Sequence, residues 1–487
     1  MRVGVITHGT RGDTQPFIAL AQHLKTKGLE MAICCPASDV AMVREHGLEA
    51  FGLTFDAKKM VKGDTMQQAM DSGDGNKCVE AFVQSVAEQK ASGANSQEEA
   101  SNFVDTYKPD ILLAHISFPN FQVVAEKHQV PVMLMMFMPW LPSRHAFTAF
   151  KTRAQLEAEG VSEPIEAHRQ LFEAFVGEKE LAEANELRKL WGLEPQTIAE
   201  IHSVLQCIPT ANCWSSEVIP EPADLSKEFP LSRQTGYLFA DPPTGYVPPV
   251  QLQEFIDAPG QQRPVYIGFG SLAAGSPRLV TEKVLRALML AGKKRCVMAG
   301  GWSGIGPEHL DADLTEDYET LKNFADTHVC KVDAAPHTWL LPQCSAAVHH
   351  GGAGTTGATV RAGVPTAIAP FAWDQPWWGE QLEDMGIGMG LSGMITQISA
   401  EELGAAIKRL TEDDGMIERA ASLGAKVRAE DGAEQLGSFI EATVSVPFFW
   451  PTPAQPKASK LPEPLWDRLV QKPTLSSQKL DAKVGGA

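Results

Sequence analysis

The stretch His349-His350-Gly351-Gly352-Ala353-Gly354-Thr355-Thr356-Gly357 joins an apolar run, Ala346 to His350, to a helical pattern. A strand that ends in glycines and restarts as a helix is a phosphate-binding design. Glycines let the backbone approach an anion, the first helical N–H groups point at it, and the helix dipole favours it. A histidine pair and a threonine pair add donors. The competing reading is a tight strand-to-helix turn with no ligand. Gly352-Ala353-Gly354-Thr355-Thr356-Gly357 also satisfies GxGxxG, and Asp374 falls near the spacing of a ribose-binding acid, so a nicotinamide-dependent oxidoreductase stands as an alternative. Against it, Asp374 lies in AIAPFAWDQPWWGEQ beyond the next strand and is followed at once by Gln375. A carboxylate that accepts beside an amide that donates and accepts suits sugar hydroxyls. Alone, Asp374 would read as a helix cap.

Around this turn the chain alternates strand and helix patterns. Pro264 to Ser271 (PVYIGFGS) reads as a strand entering a turn, Val280 to Ala291 as a helix and Lys294 to Gly300 as a strand. The N-terminal half repeats the plan. RVGVIT meets the glycine turn GTRGDTQP, then the helical FIALAQHLKTKG and the strand EMAICCP; Pro109 to Ala114 and Val130 to Met136 are further strands flanking a helix at Val123 to Lys127. The fold class expected is α/β, two doubly wound Rossmann-like domains facing a cleft. The divisions expected are an N-terminal domain over 1–218, a Pro-rich linker over 219–249, a C-terminal domain over 250–445 and a Pro-rich tail over 446–487 with a short helix near Leu465 to Val470. Polar residues 60 to 100 and the amphipathic 150 to 200 read as helical insertions that shape an acceptor pocket.

In a doubly wound domain the loop after the first strand opens at the carboxyl edge of the sheet, where ligands bind. Asp13 sits there. A partly desolvated carboxylate at that place takes a proton from an attacking hydroxyl; equally, it caps the helix that follows. His8, just before the turn, reads either as an acceptor contact or as a turn hydrogen bond. Phe118, Phe137 and Trp140 line an apolar acceptor pocket on one reading and a buried strand on the other. Asp311-Ala312-Asp313 matches the DxD pattern of metal-dependent sugar transfer, yet it follows PEHL in a polar loop, so no metal is expected.

Composition narrows the classes. With 487 residues the chain exceeds one ordinary core, and 44% hydrophobic with 21% charged residues describes a globular protein. A net charge of −18 opposes bulk binding to nucleic acid or anionic membrane. Eight cysteines without CxxC pairs read as thiols of a reducing compartment, and the start MRVGVITHG has neither a signal-peptide pattern nor an apolar run of about 20 residues nearby. The expected place is the cytoplasm, with peripheral membrane contact left open.

GTRGDTQPFIALAQHL followed far downstream by HHGGAGTTGATVRAGVPTAIAPFAWDQPWWGEQL resembles the sterol-glucosyltransferase and glycopeptide-type members of the UDP-glycosyltransferase superfamily, which have the GT-B fold. The resemblance covers most of residues 1 to 55 and 210 to 430. It implies an inverting UDP-dependent hexosyltransferase without metal or cofactor, moving glucose from UDP-glucose to a hydroxyl of a sterol, terpenoid, phenolic or polyketide. Its implied donor site is Ser271, His350 and the backbone of Gly352, Ala353, Gly354, Thr355 and Thr356 for the diphosphate. Asp374 and Gln375 would then hold the sugar, and Val332 to His337 would pass the uracil. Asp13 lies where the family has its general base, with His115, aligned through AHISFPN, orienting or modulating it. A binding protein that holds a sugar nucleotide or lipid without turnover is the third class.

Overall fold

The computed structural model describes residues 1–446 apart from 73–74, 142–151, 159, 162–164, 166–177, 223, 244 and 271–274. Two parallel sheets form the frame. The first has seven strands: β1 (Arg2–Ile6), β2 (Glu30–Pro36), β3 (Glu49–Leu53), β4 (Ile111–His115), β5 (Val132–Met136), β6 (Thr210–Asn212) and β7 (Ser232–Gln234), in the order β3-β2-β1-β4-β5-β6-β7. The second has six: β8 (Val265–Gly268), β9 (Cys296–Ala299), β10 (Val329–Val332), β11 (Ala346–His349), β12 (Thr366–Ile368) and β13 (Gly388–Gly390), in the order β10-β9-β8-β11-β12-β13. Helices cover the faces, so the central strands are apolar throughout rather than alternating. Val3, Val5, Ile6, Leu112, Leu113, Ile267 and Val348 are all fully buried.

In each sheet the strand order reverses once, between β1 and β4 and between β8 and β11. At such a switch point the two carboxyl-edge loops diverge and leave a crevice. The first crevice lies between the loops after β1 and β4. From the former rises α1 (Arg11–Thr26). The second crevice lies beside the glycine turn, which follows β11.

Four more helices matter to the site. These are α2 (Gly75–Ala91) and α3 (Arg153–Ala158) from the N-terminal half, then α4 (Ala353–Ala362) and α5 (Gln375–Asp384) from the C-terminal half. The described residues between 60 and 100 are mostly helical, as expected. Of the 150 to 200 stretch, the described parts include α3 and Glu178–Leu190.

Two pieces of chain sit across the expected divisions. Strand β7, inside 219–249, pairs with β6 through Thr210↔Ser232 to Asn212↔Gln234, so that stretch starts as the edge of the first sheet. Further on, α6 (Gly432–Val444) returns to the N-terminal half. Its Leu436, Phe439 and Ile440 join the core formed by Phe17, Leu20 and Leu24 of α1, and Glu434 pairs with Lys27 at 2.7 Å. Burying three large apolar side chains there contributes roughly 1.5–3 kcal/mol each. The Pro-rich tail with its expected helix at 465–470 lies outside the described residues.

Candidate active site

The loop after β1 turns at Gly9, whose φ of +121° is a conformation L side chains rarely adopt. A Cβ there would stand 2.3 Å from Asp13 Oδ2. The missing side chain therefore lets Asp13 fold back over the turn. Its Oδ2 accepts from Thr10 N–H at 2.7 Å and is approached by the Thr10 hydroxyl at 3.4 Å, the reciprocal capping arrangement at the start of α1. The two readings of Asp13 thus use different oxygens. Oδ2 caps the helix, and Oδ1 faces His115, whose Nε2 is 3.7 Å away.

His115 ends β4, is 4% exposed, and stacks on Phe137 with ring centroids 5.0 Å apart. Its Nδ1 lies 2.5 Å from the Ser117 hydroxyl, and that hydroxyl also contacts the His8 carbonyl oxygen. A carbonyl only accepts, so the single hydroxyl proton goes to His8 and Nδ1–H donates to Ser117; the 3.3 Å approach of Ser117 N–H to Nδ1 is the longer contact. This tautomer leaves the Nε2 lone pair facing Asp13. Burial pulls the imidazole down to about 3, so it stays neutral at working pH. Burial raises the Asp13 carboxyl to about 6, opposed by its bonds with Thr10. With 31% of its side chain still accessible, Asp13 is open to a reactant in the cleft.

The second switch point is built around the N-terminus of α4, with Gly352 as its cap. A Cβ on Gly352 would lie 2.5 Å from His350 Nε2, so the histidine ring leans over the open helix end only because that position is bare. His349 is fully buried; its Nδ1 accepts from Gly351 N–H at 2.9 Å, which puts the proton on Nε2. His349 Nε2 and His350 Nδ1 are both buried without a partner. Burial and the neighbouring His337 bring His350 down to about 4. Neutral imidazole N–H groups, an uncapped helix start and exposed Gly354 are the donor set an anion requires. One expected donor is not available. The buried Thr356 donates both its hydroxyl, at 3.0 Å, and its backbone N–H, at 2.9 Å, to Gly352 O one turn back, so neither is left for a ligand. Thr355 is half-buried and Ala353 opens the helix. Ser271 lies outside the described residues. Val332 ends β10, and His337 Nε2 contacts the Tyr266 hydroxyl at 3.1 Å.

Asp374 and Gln375 sit where β12 passes into α5. Gln375 Oε1 accepts from Phe371 N–H at 2.8 Å and Ala372 N–H at 3.3 Å, so its amide nitrogen is what remains for a ligand. Asp374 Oδ2 accepts from the indole N–H of Trp378 at 2.7 Å, one turn along the helix. Burial raises this carboxyl to about 7, and the charge of Asp13 adds to the rise. Burial lowers His337 to about 4, and across the same gap the charge of Arg11 adds to the fall. The two crevices therefore face each other. Between Ala372 and Asp374 stands Trp373, a bulky residue at φ +58°, which costs about 1–3 kcal/mol.

On the acceptor side, the His8 ring stacks on Phe55 with centroids 3.7 Å apart and meets Phe118 edge-on at 6.2 Å. Burial lowers it to about 3, so it serves as a neutral aromatic wall. Phe118 and Trp140 are 1% and 5% exposed and belong to the core, whereas Phe137 is only partly buried. In the DxD triplet, Asp311 Oδ1 accepts from Asp313 N–H at 2.8 Å and Leu314 N–H at 3.2 Å, which closes a turn. Among the described residues no helix is long and apolar enough to cross a membrane.

Residues 3–147 match the glycosyltransferase family 28 N-terminal domain, and residues 309–438 match the erythromycin biosynthesis protein CIII-like C-terminal domain. The two matches fall one in each half of a GT-B fold. A sterol 3-beta-glucosyltransferase from Aspergillus clavatus is 31% identical over 439 residues, 89% of this chain and 29% of that protein. Another from Arabidopsis thaliana, Sterol 3-beta-glucosyltransferase UGT80A2, is 30% identical over 443 residues, 89% of this chain and 64% of that protein. The chain thus spans less than a third of the fungal relative and under two thirds of the plant one. The glycotransferase of kitacinnamycin shares the fold, with a TM-score of 0.62 at 17% identity over 91% of this chain and 98% of that one.

In this GT-B fold, sequence reasoning gave no role to Thr10, Ser117, Trp373 or Trp378. Two of them had a signal. Ser117 is two residues beyond His115 in HISFPN, and Trp378 is four beyond Asp374, one helical turn along the same face.

Proposed function

We propose that this chain transfers glucose from UDP-glucose to a hydroxyl of an apolar small molecule, of the sterol, terpenoid, phenolic or polyketide classes, in the cytoplasm and without a metal ion. The observation that carries the reading is the placement of two carboxylates beside the start of α4, Asp13 with Oδ1 3.7 Å from His115 Nε2 and Asp374 held by the Trp378 indole at 2.7 Å, with the partnerless His350 Nδ1 between strand and helix. Asp13 Oδ1 takes the acceptor proton, the acceptor oxygen bonds to the anomeric carbon, and the bond to the diphosphate oxygen breaks as UDP leaves toward α4. An α-linked donor then gives a β product. A base near 6 is ionised at neutral pH yet basic enough to share the proton in the transition state. His115 Nε2, 3.7 Å away, accepts a hydrogen bond from the newly formed Asp13 carboxylic acid as the two close to bonding distance. His350 and the helix N-terminus stabilise the departing charge, the role a cation has in other sugar transfer. Asp374 and the Gln375 amide hold the sugar hydroxyls. The sheet of β1–β7 is the acceptor half and that of β8–β13 the donor half, and closure between them excludes water.

The test is UDP release from UDP-glucose in EDTA with a panel of the four acceptor classes and mass detection of products. A hexose-sized gain on one class supports the reading. UDP binding with no product on any class assigns the chain to non-catalytic binding, and no UDP binding at all removes the donor site.

A further inference from the structure

The segment that carries Asp374 and Gln375 is tied on two sides by its own domain, through Phe371 and Ala372 N–H to Gln375 and through the Trp378 indole to Asp374. It is also gripped from the other half of the molecule. The Trp373 ring meets Phe82 of α2 edge-on, with centroids 5.9 Å apart and planes at 81°. At the far end of α5, Arg153 at the start of α3 donates its backbone N–H to both Glu380 carboxylate oxygens at 3.1 and 3.2 Å and its guanidinium to Asp384 at 2.9 Å. Both grips come from the insertions, 60 to 100 and 150 to 200, and both land on the run from Phe371 to Asp384.

Trp373 holds a left-handed backbone, φ +58°, where glycine is the natural occupant. A bulky side chain kept in such a place, next to a ligand-facing carboxylate, marks a residue whose side chain matters more than its backbone comfort. Its ring is partly buried against the common core together with Phe82. An edge-to-face pair fixes both the distance and the angle between α2 and the loop, which a purely aliphatic contact would not.

We propose that Trp373 and Phe82 form a clasp by which the acceptor half positions the sugar-holding pair Asp374 and Gln375, making Trp373 a positioning residue and a determinant of sugar binding. This rests on the reading of Asp374 and Gln375 as the sugar site. When α2 moves with the acceptor half, the loop moves with it, so the sugar subsite is complete only with the two halves closed. The nucleotide subsite at α4 is independent of the clasp.

Calorimetry of the full chain with UDP and with UDP-glucose separates the two subsites without needing turnover. W373G removes the ring and relieves the backbone, two opposed effects on stability, so UDP binding in the same titration is the control that the variant is folded. It is expected to weaken UDP-glucose about tenfold and leave UDP unchanged. F82A should do the same, the double variant should be no worse than either single one, and F82Y should restore affinity. If the wild type prefers UDP-glucose to UDP and W373G and F82A keep that preference, the clasp is wrong while the sugar site stands. If the wild type itself draws no distinction between UDP and UDP-glucose, the sugar site is wrong and the clasp falls with it.

Discussion

His115 Nε2 lies 3.7 Å from Asp13 Oδ1, and its opposite nitrogen is anchored through Ser117 to the His8 carbonyl. The imidazole is held as a neutral acceptor pointing at the carboxylate. This reverses the arrangement in which a histidine is the base and a carboxylate orients it. With His115 near 3 and Asp13 near 6, the carboxylate is the stronger base of the two.

Ser117→Ala removes the anchor. It leaves the His8 carbonyl without that donor, a cost of about 1–3 kcal/mol in stability. It also frees the ring to change tautomer. The expected result is a fall in kcat of about tenfold with an unchanged KM for UDP-glucose, read in steady-state kinetics. A raised donor KM with normal kcat would place Ser117 in substrate binding instead.

The raised Asp13 carboxyl makes two pH predictions. The base must be ionised, so kcat/KM for the acceptor should fall on the acid side of about pH 6, approaching tenfold per pH unit. For stability the sign is opposite to that of a salt-bridged acid. Because the folded value is raised above the ordinary 3.8, the folded state binds more protons between 3.8 and about 6, and stability is lost as pH rises through that window. Asp13→Asn should therefore stabilise the fold at pH 8 by about 1–2 kcal/mol after allowing for the accessible surface, read as a higher unfolding temperature, and the gain should vanish below pH 4.

Trp378→Phe keeps most of the buried volume and deletes the one N–H aimed at Asp374 Oδ2. The carboxyl then loses a bond to its charged form and rises further. UDP-glucose affinity should fall about tenfold at pH 7 and recover in part at pH 9, with UDP affinity unchanged at both. Equal loss for UDP and UDP-glucose would mean that the indole supports α5 rather than the sugar.

Gly352→Ala pushes a methyl group into His350 Nε2, 2.5 Å from where the Cβ would stand, and over the first N–H groups of α4. UDP affinity should drop at least tenfold, while thermal unfolding shifts by only a few degrees because alanine in place of glycine at a helix cap costs about 1 kcal/mol. Unaltered UDP binding would move the diphosphate elsewhere.

Much of this was legible in the sequence where strong local patterns and tertiary placement agree. PDILLA became β4, VPVMLMM became β5, and the glycine run became the turn into α4, because apolar strands buried on both faces and glycine-rich turns announce themselves locally. The strand SRQ of β7 did not. Three polar residues at a sheet edge carry no apolar pattern, and only pairing with β6 makes them a strand. The return of α6 to α1 was equally hidden, since an amphipathic helix does not say which core it covers. At the site, Asp13 read as cap or base from its position, and only coordinates divide the roles between Oδ2 and Oδ1. The left-handed backbone of Trp373 was invisible, because a bulky residue gives no local signal for a conformation it rarely adopts.

The most direct measurement pairs transfer with binding in Asp13→Asn, using UDP-glucose, the best acceptor and EDTA. Asn still offers an oxygen to cap Thr10, so the loop stays in place. The account predicts that product formation falls at least a thousandfold while UDP binds as tightly as to the wild type. Transfer within a few-fold of the wild-type rate would contradict Asp13 as the base and, with it, the mechanism.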